Sequence, residues 1–492
     1  MPLVPLAIPP GIYRNGTDYQ ASGRWRDASL VRWTDGTMQP IGGWVSRATV
    51  SSNKKVRGSI AWSDNDAARL MAAGTYEKLF VISASNTVTD ITPTSFTTGN
   101  AIAALNLGYG GGLYGDYLYG TPRQDVVSLG EATTWSLDTW GEYLVACSSW
   151  DGKIYEWQLN TANDAVVITN APTSNLAIVV TEERFLFALG AGGDVRKVQW
   201  CDREDNTIWT PAATNEAGDI DLQTSGQIML GIKARGQTLI LTDHDAHAAT
   251  YQGPPFVYGF ERVGSSCGAI SRRCAASVDR GVFWMGNRGF FAFSGGQVQD
   301  VPCEVADYIF NNISTSQKSL VHAVTNSKFN EIWWFYPSAA STECDSYVVF
   351  NYEENHWTIG TMARTSGIDA GVFATPIWFG TDGIAYNQET GYNLTAETVF
   401  AESGPFEIGS GDTTMMASML IPDEKTQGQV TVTFKTRFHP NDTERSYGPY
   451  SMAAPTDVRF TGRQVSMRVI GSGTASWRWG VPRIDAMPSG RR

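Results

Sequence analysis

One local pattern returns along most of this chain: a strand-like run, a Gly, Asp or Asn turn, and a second strand-like run. The clearest case is Glu142–Leu159, EYLVACSSWDGKIYEWQL, with Asp151-Gly152 at the turn. Arg184–Trp200, Gly236–Gln252, Gly281–Val298, Ile332–Phe350 and Ile377–Tyr386 repeat it, and Arg57–Ile82 is an earlier instance with Tyr76–Ile82 as its outer run. From Cys147 onward the hairpins recur at roughly 45–50 residues, the repeat of four-stranded propeller blades. A blade has two apolar faces and cannot bury both alone. Radial stacking buries them and leaves only short edges.

The pattern predicts an all-β chain whose centre, residues 56–393, is a β-propeller of about six or seven blades. The alternative is an irregular β-sandwich with long loops, because the repeats share pattern more than identity. The ends read differently. Residues 1–51 are rich in Pro, Gly and Trp and read as an extended arm with one hairpin, Leu30–Trp33 and Met38–Ile41 about a Thr34-Asp35-Gly36 turn. Residues 394–492 read as a small β platform or sandwich with its own partner surface. There Val430–Phe438 and Val465–Ile470 alternate with period two, and Glu402–Thr414 and Pro440–Gly448 read as loops. Helix signals are weak, with one short helix expected in Val305–Ser314.

Composition narrows the function classes. Charged residues are 17% of the chain, below the roughly 25% usual for soluble domains, so much of the surface is expected to be covered by partners. The net charge of −12 argues against a broad basic face that grips nucleic acid, but does not exclude a chain that lets DNA pass. Six cysteines without a C-x-x-C and five histidines give neither a disulfide framework nor a zinc motif, and the cysteines read as buried reduced thiols. The opening MPLVPLAIPPGIYRNG lacks a basic n-region and is broken by prolines, so no secretory signal is expected, and no membrane insertion.

Few segments carry possible chemistry. Asp243, His244, Asp245 and His247 are the densest group of metal-ligand types and a candidate channel loop; the plainer reading is a polar turn tip between LILT and ATYQ. Cys201–Trp209, CDREDNTIW, faintly resembles the Asp-box of sialidase propellers, whose usual role is a structural turn. Gly108–Gly120 is a Gly/Tyr run in which Tyr109 and Tyr114 could line a channel or stack on a neighbouring subunit. Arg24, Trp25, Arg26, Arg32, Trp33 and Trp44 combine the residue types of interface hot spots, and Arg478, Arg483, Arg491 and Arg492 repeat that chemistry at the other end. The plainer alternative is a Trp-anchored arm packed on its own domain. No G-x-S-x-G, Walker loop or H-E-x-x-H occurs, so neither catalysis, a metal nor a cofactor is expected.

Several segments together point to one family. They are PPGIYRNGTDYQASGRWRDASLVRW, VQWCDREDNTIWTP, CGAISRRCAASVDRGVFWMGNRGFFAFSGGQVQDVPCEVADYIF, NEIWWFYP and YVVFNYEENHWTIG. They resemble the tail hub, or nozzle, proteins of short-tailed bacteriophages, also called packaged-DNA stabilisation proteins. The likeness is densest from about Asp194 to Trp357 and is a diffuse pattern of Trp, Gly and hairpins. The resemblance implies a propeller with an added β platform, six copies in a ring below the portal and head–tail adaptor, tail fibres or spikes as neighbours, and double-stranded DNA passing through without sequence-specific binding. It implies a virion protein assembled in the host cytoplasm and carries over no catalytic residue. A glycan-binding or glycan-cleaving propeller is the alternative.

Overall fold

The computed structural model describes residues 3–50, 54–103, 130–407 and 411–490. Among these, seven four-stranded antiparallel sheets follow one another as blades: 58–90, 135–167, 177–221, 228–265, 275–301, 322–361, and 366–388 completed by Trp44–Thr49. Each blade's first strand packs against the first strand of the next, and the seventh packs against the first. The result is a closed β-propeller.

Blade packing explains the apolar runs in the middle strands. In blade 1, Met71, Ala73, Phe80 and Ile82 join a core shared with Phe373, Ile377 and Phe379 of blade 7. Their alternates Ala72, Leu79 and Val81 join Trp135, Leu144 and Tyr155 of blade 2. Each middle strand therefore faces a neighbour on both sides, and period-two alternation disappears. The same interleaving fills the seams between blades 2 and 3 and between blades 3 and 4. Beyond blade 4 one continuous core runs through blades 5 and 6 into the platform.

The platform is a two-sheet sandwich. Its five-stranded sheet has the order Trp25–Ser29, Val399–Ser403, Gln464–Gly471, Val430–Arg437, Arg445–Ser451. Its four-stranded sheet has the order Leu3–Pro5, Arg483–Gly490, Thr414–Ile421, Thr456–Gly462. Val430, Val432 and Phe434 alternate inward, and Phe434 meets Phe460 of the facing sheet with ring centroids 4.8 Å apart.

Two expectations change. Trp44–Thr49, read as part of the arm, is the closing strand of blade 7, paired from Ile384↔Thr49 to Gln388↔Trp44. The end of the segment read as the loop Pro440–Gly448 is instead the edge strand Arg445–Ser451, with five of its seven residues exposed and so no alternation to betray it. The arm hairpin forms as Val31–Thr34 and Thr37–Pro40. Its two turn residues Asp35 and Gly36 both take positive φ, 51° and 74°, the geometry of a tight hairpin turn. The short helix is Ala306–Asn311.

Candidate functional site: the propeller axis and its joint with the platform

Most of the arm's Arg and Trp side chains serve the chain itself. Trp25 and Trp33 are buried, 6.0 Å apart between ring centroids, and Trp33 meets His356 of blade 6 edge-on at 6.3 Å. Arg24 pairs with Glu304, and Arg26 with Asp18. Trp44 lies under the Arg364 guanidinium at 4.6 Å, and burial holds that guanidinium down at about 10. The expectation that these residues form an interface with another molecule is corrected for Trp25, Arg32 and Trp33. They are buried between the arm and the propeller of one chain, where the same desolvated Arg/Trp chemistry is used. Arg478 and Arg483 stand exposed on the platform, while Arg491, Arg492, Tyr109, Tyr114 and the Gly108–Gly120 run lie outside the described residues.

Arg32 is the centre of the joint. It is buried, with Nε and Nη2 donating to Glu331 at 2.9 Å and Nη1 donating to Glu389 at 2.9 Å. Its guanidinium lies 3.6 Å from the Phe329 ring centroid. Burial works against its charge, but the two carboxylates more than offset this and hold the proton more firmly than usual. Glu389 also accepts from the Gly42 N–H at 2.8 Å and from Asn326 Nδ2 at 3.0 Å. Glu331 accepts from Trp333 Nε1 at 2.9 Å. The Leu30 N–H donates to Tyr347 Oη at 2.8 Å, and the Ile12 N–H to the Trp357 carbonyl at 2.7 Å. Beside Ile12, Gly11 has φ of +90°, and a Cβ there would sit 2.8 Å from the His356 Cβ, so only glycine lets the arm lie so close.

The Asp243–His247 group splits. Asp243 and His244 are exposed at the turn, while Asp245 and His247 are buried in blade 4. Asp245 accepts from Thr242 Oγ1 at 2.6 Å and Thr224 Oγ1 at 2.9 Å, with His247 Nε2 at 3.1 Å. Burial opposes its charge, yet these donors hold the carboxyl below its ordinary value. The group ties two strands of a blade to the preceding connection. Among the described residues no cluster of His, Cys, Asp and Glu is arranged to hold a metal. Cys201–Trp209 likewise forms a turn, with Trp209 buried and its Nε1 donating to the Asn206 carbonyl at 2.7 Å.

The axis is built from small residues. A cavity of about 210 Å³ is lined by first-strand residues of six blades, among them Ser59, Ser136, Gly231, Ala323 and Gly367. Strands converge there, and a Cβ on Gly231 would approach Val179 to 2.6 Å. Serines join the strands: Ser59 Oγ and Ser366 Oγ lie 2.7 Å apart, and Ser136 Oγ donates to the Ile178 carbonyl at 2.8 Å.

Around the starts of the inner strands, sequence reading missed a charged cluster: Arg57, Arg273, His322 and Glu343. Arg57 is buried, its side chain only 1% exposed, and donates through Nη2 to Glu343 Oε1 at 2.7 Å and the Ala101 carbonyl at 2.9 Å. Arg273 donates to the Thr365 carbonyl at 3.2 and 3.3 Å. Burial, with the Arg57 charge beside it, pulls the Arg273 guanidinium down to about 9. His322 is stacked on Phe335 at 5.2 Å, and burial followed by the Arg273 charge holds its imidazole well below the ordinary value. Among the described residues, Arg57 Nε and Nη1, Arg273 Nε, His322 Nε2 and Glu343 Oε2 are buried atoms with no hydrogen-bond partner. The available signal was the Arg272-Arg273 doublet, two adjacent charges in a chain poor in charge. At the far ends of the inner strands, Lys233 Nζ meets Asp138 at 3.0 Å.

No family model matches the sequence. No curated protein matches it. Among solved structures, virginiamycin B lyase from Staphylococcus aureus is similar at 6% identity and a TM-score of 0.44, over 70% of this chain and 98% of the other. The N-terminal domain of Nup159 is similar at 9% identity and TM-score 0.37, over 74% and 98%. The WD40 β-propeller domain of Doa1 is similar at 10% identity and TM-score 0.38, over 72% and 97%.

Proposed function

We propose that this chain is a virion structural protein, a tail nozzle subunit that forms a ring below the portal and adaptor, retains packaged DNA and conducts it during ejection. One observation carries the reading. The segments that resemble the nozzle family lie far apart in sequence, yet several of them meet at the joint of arm, blade 5 and blade 6: Arg24 with Glu304, Ile12 with Trp357, Leu30 with Tyr347, Arg32 with Glu331. The resemblance thus follows a unit of the fold, the weld between propeller and platform. Such a weld suits a part that bears load.

In this reading the chain does no chemistry. The DNA path lies between subunits, since an axial cavity of about 210 Å³ cannot pass a duplex whose major groove alone is about 12 Å wide. The net charge of −12 per chain disfavours a broad grip on phosphates. The exposed Arg478 and Arg483 on the platform suit an acidic partner.

The test is to incubate the purified protein with portal–adaptor complexes and image the product by negative stain. A sixfold ring with a central hole, seated on the adaptor, is expected. Particles in which the adaptor stays bare would overturn the proposal.

A further inference from the structure

We infer that copies of this chain join head to tail, the tip of one copy's blade-4 hairpin seated on the outer face of the next copy's platform. The hairpin is built to project. Its strands, Asp245–Gly253 and Val257–Ser265, have nine residues each, whereas no other described strand of the propeller exceeds seven. Pairing with the neighbouring strand of the blade stops at Thr238↔Ala249. Beyond it the hairpin pairs only with itself, out to Gly253↔Val257. This overhang is braced on blade 3. Tyr258 meets Phe187 at 4.8 Å and Phe185 at 5.2 Å between ring centroids, and its hydroxyl donates to Glu183 at 3.0 Å. The Tyr251 hydroxyl donates to Glu216 at 3.1 Å. At the tip Pro254, Pro255 and Phe256 are exposed, Phe256 by 76%. Next to it Val257 has φ of +57°, a left-handed conformation that a β-branched residue rarely adopts and that persists only where the structure around it fixes it. A large aromatic side chain held out in water on a braced mount gives up little freedom when a partner covers it.

A matching surface lies on the platform. In its four-stranded sheet Met415, Ala417, Ile484 and Ala486 are buried toward the facing sheet. The register puts Leu3, Met416, Met419 and Met487 on the opposite face, through Met416↔Met487, Met419↔Asp485 and Leu3↔Asp485. Met416 is 37% exposed, Leu3 is exposed, and the other two methionines are half-buried. Flexible thioethers shape themselves to an incoming ring. Arg459 and Arg483 stand exposed on the same face. Charge favours a second copy as the partner. Residues 56–393 carry 36 Asp and Glu against 19 Lys and Arg, while residues 1–55 and 394–492 carry 13 against 18. An acidic propeller in one copy therefore attracts the basic platform of another, and Glu261 on the hairpin itself is exposed to meet it. Phe256 and Met416 are both exposed, so they do not cover one another within one chain. A knob and a different socket make a heterologous contact, which repeats from copy to copy. The inference does not rest on the nozzle reading, because it concerns copies of this chain alone.

The experiment is sedimentation velocity of the full chain at about 1–200 µM, a range that detects contacts of micromolar affinity. The wild type is expected to associate, and less so as salt is raised. Phe256→Ser and Met416→Asp are each expected to weaken association at least about tenfold, the scale of a hot-spot residue. Mixed together, the two variants are expected to form a one-to-one pair and nothing larger, since Phe256→Ser keeps the socket and Met416→Asp keeps the tip. A wild-type chain that stays monomeric throughout would overturn the inference and leave the tip to a different molecule. So would a mixture that stays monomeric. Should Met416→Asp not fold, unchanged association in Phe256→Ser overturns it equally. Association through this contact by a chain that ignores the adaptor would count against the nozzle reading alone.

Discussion

Arg32 gives up solvent for two carboxylates and a phenyl ring, and in doing so ties the arm to blades 6 and 7. Arg32→Leu leaves Glu331 and Glu389 buried without their cation. It is expected to cost about 3–5 kcal/mol in a denaturant titration, and Arg32→Lys to rescue only part, because an ammonium cannot fork to both acids. A loss below about 1 kcal/mol, the value of a surface pair, would contradict this. The buried histidines set a pH limit. His322 and His356 stay neutral when folded because burial lowers their affinity for protons. The unfolded chain binds protons at these sites as the pH falls through about 6.5, so stability is full above that value and declines below it, by up to about 1.4 kcal/mol per pH unit for each group. His322→Phe should flatten the fall between pH 6.5 and 5; an unchanged slope would contradict the assignment. At this scale the sequence was readable by residue type only. Clustered Arg and Trp announce a desolvated contact, but the chemistry of Arg32 is the same whether the partner is another molecule or the next domain. Arg57, Arg273 and His322 meet only because strand starts converge on an axis, which spacing along the chain does not reveal.

The element scale shows which strands a sequence can disclose. The hairpins legible from composition, such as Tyr143–Ser148 with Ile154–Trp157 and Glu331–Tyr336 with Ser346–Asn351, are the middle strands of their blades. They are apolar on both faces and so stand out as runs. The inner strand Ser366–Ile368 has three residues and the outer strand Gly218–Asp221 is mostly exposed, so neither carries a pattern. Trp44–Thr49 is an outer strand of this kind, which is why closure of the ring by the arm was not visible. Two predictions belong here. Gly58→Ala places a Cβ 2.6 Å from the Trp135 carbonyl oxygen, a backbone atom that cannot rotate away. The variant should lose about 1–3 kcal/mol in a denaturant titration as the seam between blades 1 and 2 is forced open; wild-type stability would show that the seam yields freely. Removing residues 1–50 takes strands from both platform sheets and from blade 7, and leaves unpaired edges. Size-exclusion chromatography should find that truncated chain aggregated, and a monodisperse soluble peak would contradict the role given to the arm.

For the whole molecule, the chain's path is the main structural fact. It starts in the platform, crosses the joint, closes blade 7, winds around the propeller, and returns to complete the platform. Each domain thus holds both an early and a late segment of the chain, and neither can separate without unthreading the other. That construction fits the proposed role as a stiff repeating part of a tail, and the proposal stands or falls on self-association of the intact chain with its template. The direct measurement is the mass of the complex formed on portal–adaptor particles, by light scattering on the purified species. The account predicts added mass six times that of the 53.7 kDa chain. A chain that remains at the monomer mass in the presence of the adaptor would contradict it.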